Sequence, residues 1–109
     1  MTGIATYPSI EQLVAAELDA LPEWLLDALE SVPVVVCDGG GREHAYGLYQ
    51  GDGVARDDRP DHIVIFRDTL LRDFGDDPAR LRDEVRDTVR HEIAHHLGWD
   101  EGGVRALGF

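Results

Sequence analysis

The sequence predicts an α+β domain, with a small mixed or mostly antiparallel sheet packed with helices and a long C-terminal helix. Apolar residues recur at helical spacing at both ends, in "IEQLVAAELDAL" and "PARLRDEVRDTVRHEIAHH". Between these lie three short runs, "VPVVVCD", "AYGLYQG" and "DHIVIF", two of them rich in β-branched residues and two containing aromatics. Helix, helix, strand, strand, strand, helix groups the strands together instead of alternating them with helices, as α+β proteins do.

Ser9 opens the first helix as its cap, with Glu11 and Gln12 in the first turn. Pro22 interrupts that helix and suits the start of a second short one, "PEWLLDALES". "VPVVVCD" then reads as a buried strand and "GGGREH" as a flexible turn. The strands "AYGLYQG" and "DHIVIF" flank the polar loop "DGVARDDRP", and "RDTLLRDFG" forms a short helical turn. The longest helix runs from residue 77 to 96. Asp76 or Asp77 is its cap, Pro78 lies in its first turn, and Gly98 stands just past its end.

With 109 residues, the chain is expected to form one domain over residues 1–109, so any active site shares its elements with the core. The net charge of −12, from 22 acidic and 10 basic residues, repels phosphate backbones and argues against a nucleic-acid partner. The N-terminal "MTGIATYPSIEQ" lacks the basic and apolar regions of a signal peptide, and no apolar run reaches membrane-spanning length. The expectation is a cytoplasmic monomer without membrane contact. Cys37, the one cysteine, cannot form an intrachain disulfide and is expected to be a buried structural thiol.

The chemistry concentrates in "VRHEIAHHLGWDE", residues 89 to 101. Leu81, Val85, Val89 and Ile93 recur every fourth position and form the core stripe of the helix. His91 and His95 share another face, more than a quarter turn away at roughly 100° per residue. Two imidazoles one turn apart can hold one Zn²⁺. Glu92, between the histidines and the core, is placed to serve as the base rather than as a ligand. A third ligand is needed. Gly98 can adopt the left-handed conformation that turns the chain back, bringing Glu101 or Asp100 toward the metal.

The remaining histidines have other readings. His96 lies near the core stripe and is expected to be packed and hydrogen-bonded, while His44 and His62 fall outside the ligand set. Tyr46 and Tyr49 are possible hydroxyl donors to an oxyanion, although strand tyrosines are expected to pack.

These residues resemble the zincin metallopeptidases, and in particular a family of small bacterial proteins with a minimal, metzincin-like zincin domain. The order of "SIEQLVAAELDALPEWL", "VVV", "GLYQG", "PDHIVIF" and "EVRDTVRHEIAHHLG" is similar to that family over nearly the whole chain. The family pattern is H-E-x-x-H-x-x-G-x-x-D. His91, Glu92, His95 and Gly98 match it, whereas Glu101 stands at the third-ligand position, one methylene longer than Asp and next to Asp100. Only eight residues follow Glu101 and Met1 is the sole methionine, so the methionine-containing turn of metzincins proper is not expected.

The resemblance implies zinc-dependent hydrolysis of peptide bonds in a peptide or protein substrate, with Glu92 as general base. It also implies an extended substrate paired to an edge strand. "HIVIF" is the candidate for that edge, with a plain core strand as the competing reading. Two other functions compete. The same ligands would serve a metal-stabilised binding or regulatory module without turnover. Zinc-dependent endoribonucleases carry H-G-x-x-H-x-x-G-Y-D-H, which "HEIAHHLGWDE" resembles in "GWD". Here Glu92 replaces the glycine, Glu101 replaces the last histidine, and the charge disfavours RNA.

Overall fold

Local capping sets the two principal helices. In α1 (Ile10–Asp19) the Ser9 hydroxyl accepts from the Gln12 N–H at 3.1 Å, while the Ser9 N–H donates to Gln12 Oε1 at 2.8 Å. This reciprocal box satisfies two backbone donors that a helix start leaves without intrahelical partners. Asp77 caps α5 (Pro78–His96) by accepting from the Arg80 N–H at 3.2 Å, and Pro78 occupies the first turn, where its missing N–H costs nothing. The computed structural model describes residues 8–50 and 61–98.

Between α1 and α5 the order is α2 (Glu23–Ala28), β1 (Val34–Cys37), α3 (Gly40–Glu43), β2 (Gly47–Gln50), β3 (His62–Phe66) and α4 (Arg67–Phe74). The sheet is mixed. β1 runs parallel to β3, pairing Val34 with Ile63 and Cys37 with Phe66; β2 runs antiparallel to β3, pairing Gly47 with Ile65 and Gln50 with His62. The spatial order is β1-β3-β2, so "HIVIF" is the central strand and not an edge. Its composition already suits that place: Ile63, Val64, Ile65 and Phe66 are all buried, as a strand covered on both faces requires.

α5 packs on α1, α4, β2 and β3. Leu81, Val85, Val89 and Ile93 join Ile10, Leu13 and Val14 of α1, Leu25 of α2, and Ile63 and Ile65 of β3 in one core. Removing these side chains from water is the main stabilising contribution, about 1.5–3 kcal/mol for each fully buried aliphatic residue.

Two expectations change around β1. Among the described strands this one lies at the sheet edge, Val35 is exposed, and Cys37 at its end is only half-buried. "GGGREH" is not a flexible turn but contains α3, pinned from a distance. The N–H groups of Gly39 and Gly40 donate to the two carboxylate oxygens of Asp68 at 3.1 and 3.0 Å. These bonds, that of Gly40 first, hold the Asp68 carboxyl below its usual pKa. Gly39 has φ +115, and a side chain on Gly40 would meet Ala45 O and Phe66 Cβ at 2.6 Å, so the corner needs both glycines.

Candidate active site

The helical phase of α5 sorts its last two turns into core and surface. Val89 and Ile93 are fully buried, His91 and His95 are exposed, and Glu92 lies between them, buried although it is a carboxylate. The rings of His91 and His95 are 5.9 Å apart between centroids and nearly perpendicular. His95 Nδ1 lies 3.1 Å from Glu92 Oε1. A carboxylate can only accept, so Nδ1 carries the proton and Nε2 is left with the lone pair. Glu92 thereby fixes the tautomer of His95.

β2 completes the wall. A Cβ on Gly47 would stand 2.7 Å from Thr88 Cγ2 and 3.2 Å from Glu92 Cγ, so the bare backbone of β2 sits directly on the turn of α5 that precedes the histidines. Tyr46, Gly47, Asp87, Thr88, His91 and Glu92 line an open pocket of about 240 Å³. Thr88 is held by its own helix, Oγ1 donating to Glu84 O at 2.7 Å. Sequence reasoning passed over Gly47; a glycine inside a strand pattern is the signal for such a close approach.

Both tyrosine hydroxyls are engaged. Tyr46 donates to Asp73 Oδ2 at 2.6 Å, which raises the Tyr46 pKa, and its ring packs on Phe74. Hydrogen bonds from Arg72 and then Tyr46 lower the Asp73 carboxyl to about 2. Tyr49 donates to Asp61 Oδ2 at 2.7 Å, so each hydroxyl proton is given to a carboxylate.

The sequence profile of zincin-like metallopeptidases matches residues 29–109, well over half of the chain, including β1 through α5. The chain belongs to the zincin-like metallopeptidase family. No curated protein matches it. The small three-stranded sheet and long C-terminal helix are consistent with a zincin-like domain. No helix among the described residues is long and apolar enough to cross a membrane.

The donor chemistry of this zincin-like domain fits a divalent transition metal. His91 and His95 offer imidazole nitrogens from one exposed helix face, and the buried carboxylate beside them orients the His95 ring. Among the described residues no three His, Cys, Asp or Glu side chains gather around one point. The expected third ligand, Glu101 or Asp100, lies outside the described residues. Gly98, which precedes them, has the left-handed φ of +73 that a helix-ending turn requires. His44 sits at the end of α3 and His62 at the start of β3, and neither lines the Glu92 pocket.

Proposed function

We propose that this zincin-like protein is a zinc-dependent peptidase. His91 and His95 hold the metal together with Glu101 or Asp100, and Glu92 is the general base. The observation that carries this reading is the position of Glu92: a buried carboxylate that contacts the second histidine and lines an open pocket beneath the backbone of β2.

Zinc, when bound, supplies Lewis acidity toward the scissile carbonyl and the attacking water. Glu92 takes the proton from that water and passes it to the departing amine. Burial among Gly47, Thr88 and the core strengthens the field of the carboxylate by excluding solvent from one side. His95, whose Nδ1 meets Glu92, keeps Nε2 for the metal. An extended substrate lies along β2 rather than "HIVIF", because among the described strands β2 stands at the edge of the sheet and borders the pocket.

The test compares wild type, Glu92→Gln and His91→Ala for zinc content and for cleavage of a peptide library. Wild type and Glu92→Gln should hold near-stoichiometric zinc, His91→Ala little, and Glu92→Gln should lose at least about 10²-fold in turnover. Cleavage by Glu92→Gln at the wild-type rate would remove that residue from the mechanism. Zinc bound without cleavage of any peptide would instead favour a metal-stabilised binding module.

A further inference from the structure

Beside the metal-binding face, the last residue of α5 takes part in a second polar cluster. His96 Nδ1 lies 3.3 Å from the Tyr49 hydroxyl, which donates to Asp61 Oδ2 at 2.7 Å. Asp61 is buried, only 9% exposed, and the side chain of His96 is 16% exposed. The Tyr49 and His96 rings meet edge to face at 5.3 Å between centroids.

The direction of the bonds follows from the proton count. Tyr49 has one hydroxyl proton and gives it to Asp61, so toward His96 its oxygen accepts and His96 Nδ1 must carry a proton. The result is a directed chain, His96 Nδ1–H to Tyr49 O–H to the Asp61 carboxylate. It joins three elements: the end of α5, the edge strand β2, and the residue that leads into β3.

We infer that Tyr49, Asp61 and His96 are positioning residues for the metal pair, locking the last turn of α5 against β2 and thereby setting where His95 stands. The inference rests on the zinc reading of His91 and His95. The location supports it: His96 directly follows His95, and α5 ends at His96 with Leu97 as its cap, so the ligand stands in the last turn, where the backbone carbonyls lack intrahelical partners. The core fixes α5 at Val89, Ile93 and the partly buried Leu97, and the polar cluster ties the same end to β2 through His96. Helix ends fray unless they are tied down, and a frayed last turn would spread the distance between the two imidazoles.

Zinc affinity, measured by competition with a chromophoric chelator, and urea midpoints of the chelator-treated protein separate positioning from bulk stability. The proteins compared are wild type, His91→Ala, Tyr49→Phe, His96→Phe and His96→Asn. Asn places an amide N–H where His presents Nδ1, so His96→Asn keeps the donor to Tyr49 and His96→Phe removes it. We expect Tyr49→Phe and His96→Phe to weaken zinc binding about 10-fold and His96→Asn to recover most of that loss. Midpoints that fall while all three variants bind zinc within about twofold of wild type would reduce the cluster to a structural role and overturn the inference. If Tyr49→Phe fails to fold, the His96→Asn and His96→Phe pair decides alone. Wild type binding zinc no tighter than His91→Ala would overturn the zinc reading itself, and the positioning role with it.

Discussion

Replacing Gly47 with alanine tests how closely β2 is built against α5. The added Cβ would lie 2.7 Å from Thr88 Cγ2, 3.1 Å from Val64 O and 3.2 Å from Glu92 Cγ. Carbon atoms at rest stand about 3.5–4.0 Å apart, so the Thr88 methyl must retreat by roughly 1 Å and the β2–α5 spacing must open. Overpacking of this kind costs about 1–3 kcal/mol. With an unfolding entropy near 2 cal/mol/K per residue over about 100 residues, Tm should fall by about 5–15 °C. Thr88→Ser removes the nearest obstacle while keeping the hydroxyl that donates to Glu84 O. It should cost about 1 kcal/mol alone, for one lost methyl. The double variant should then be more stable than the sum of the two single effects by at least about 0.5 kcal/mol. The assay is a urea double-mutant cycle. Additive effects would show that the Gly47 contact does not set the distance between β2 and α5.

Further outcomes follow from the corner and the carboxylates. Gly40→Ala should destabilise by about 3 kcal/mol or prevent folding, since backbone and side-chain atoms already occupy the space its Cβ needs; Gly41→Ala, where nothing lies within 4 Å, is the matched control in the same urea titration. Asp73, held at about 2 by Arg72 and then Tyr46, and Asp68, lowered by the Gly40 and Gly39 N–H groups, bind fewer protons folded than unfolded. Their stabilisation is therefore fully present above the ordinary aspartate pKa and is lost as pH falls through about 4 toward 2. Urea midpoints measured from pH 6 down to pH 2.5 should decline over that range, and Asp73→Asn should make the decline shallower.

Much of this architecture is written in local chemistry. α1 and α5 are legible because caps and apolar spacing agree at both, and α5 needs no tertiary information to place His91, Glu92 and His95 relative to one another. Strand order is different. Nothing within "VVVC", "GLYQ" or "HIVIF" states which strand is central; β3 takes that place because Ile63 through Phe66 are all buried and β1 and β2 both pair with it. α3 escaped sequence reasoning because glycines weaken a helix locally, and the compensation comes from Asp68, 28 residues beyond Gly40. The Tyr49, Asp61 and His96 cluster was half visible. The phase of His96 announced a packed histidine, but its partner lies 47 residues away in sequence.

α5 presents its core stripe and the residues of the proposed metal site at adjacent positions: Ile93 follows Glu92, and Val89 stands two residues before His91. A helix used in this way has no neutral side along those turns. Variation at the proposed site cannot readily enter through residues 89–93 of α5, because a change of size there is transmitted to the hydrophobic interior as well as to the pocket. Asp87, exposed at the pocket rim one turn earlier on α5, carries no such double duty. On the proposed peptidase reading, directed evolution of this scaffold should therefore accumulate its altered-specificity substitutions at Asp87, leaving residues 89–93 of the 19-residue helix nearly untouched.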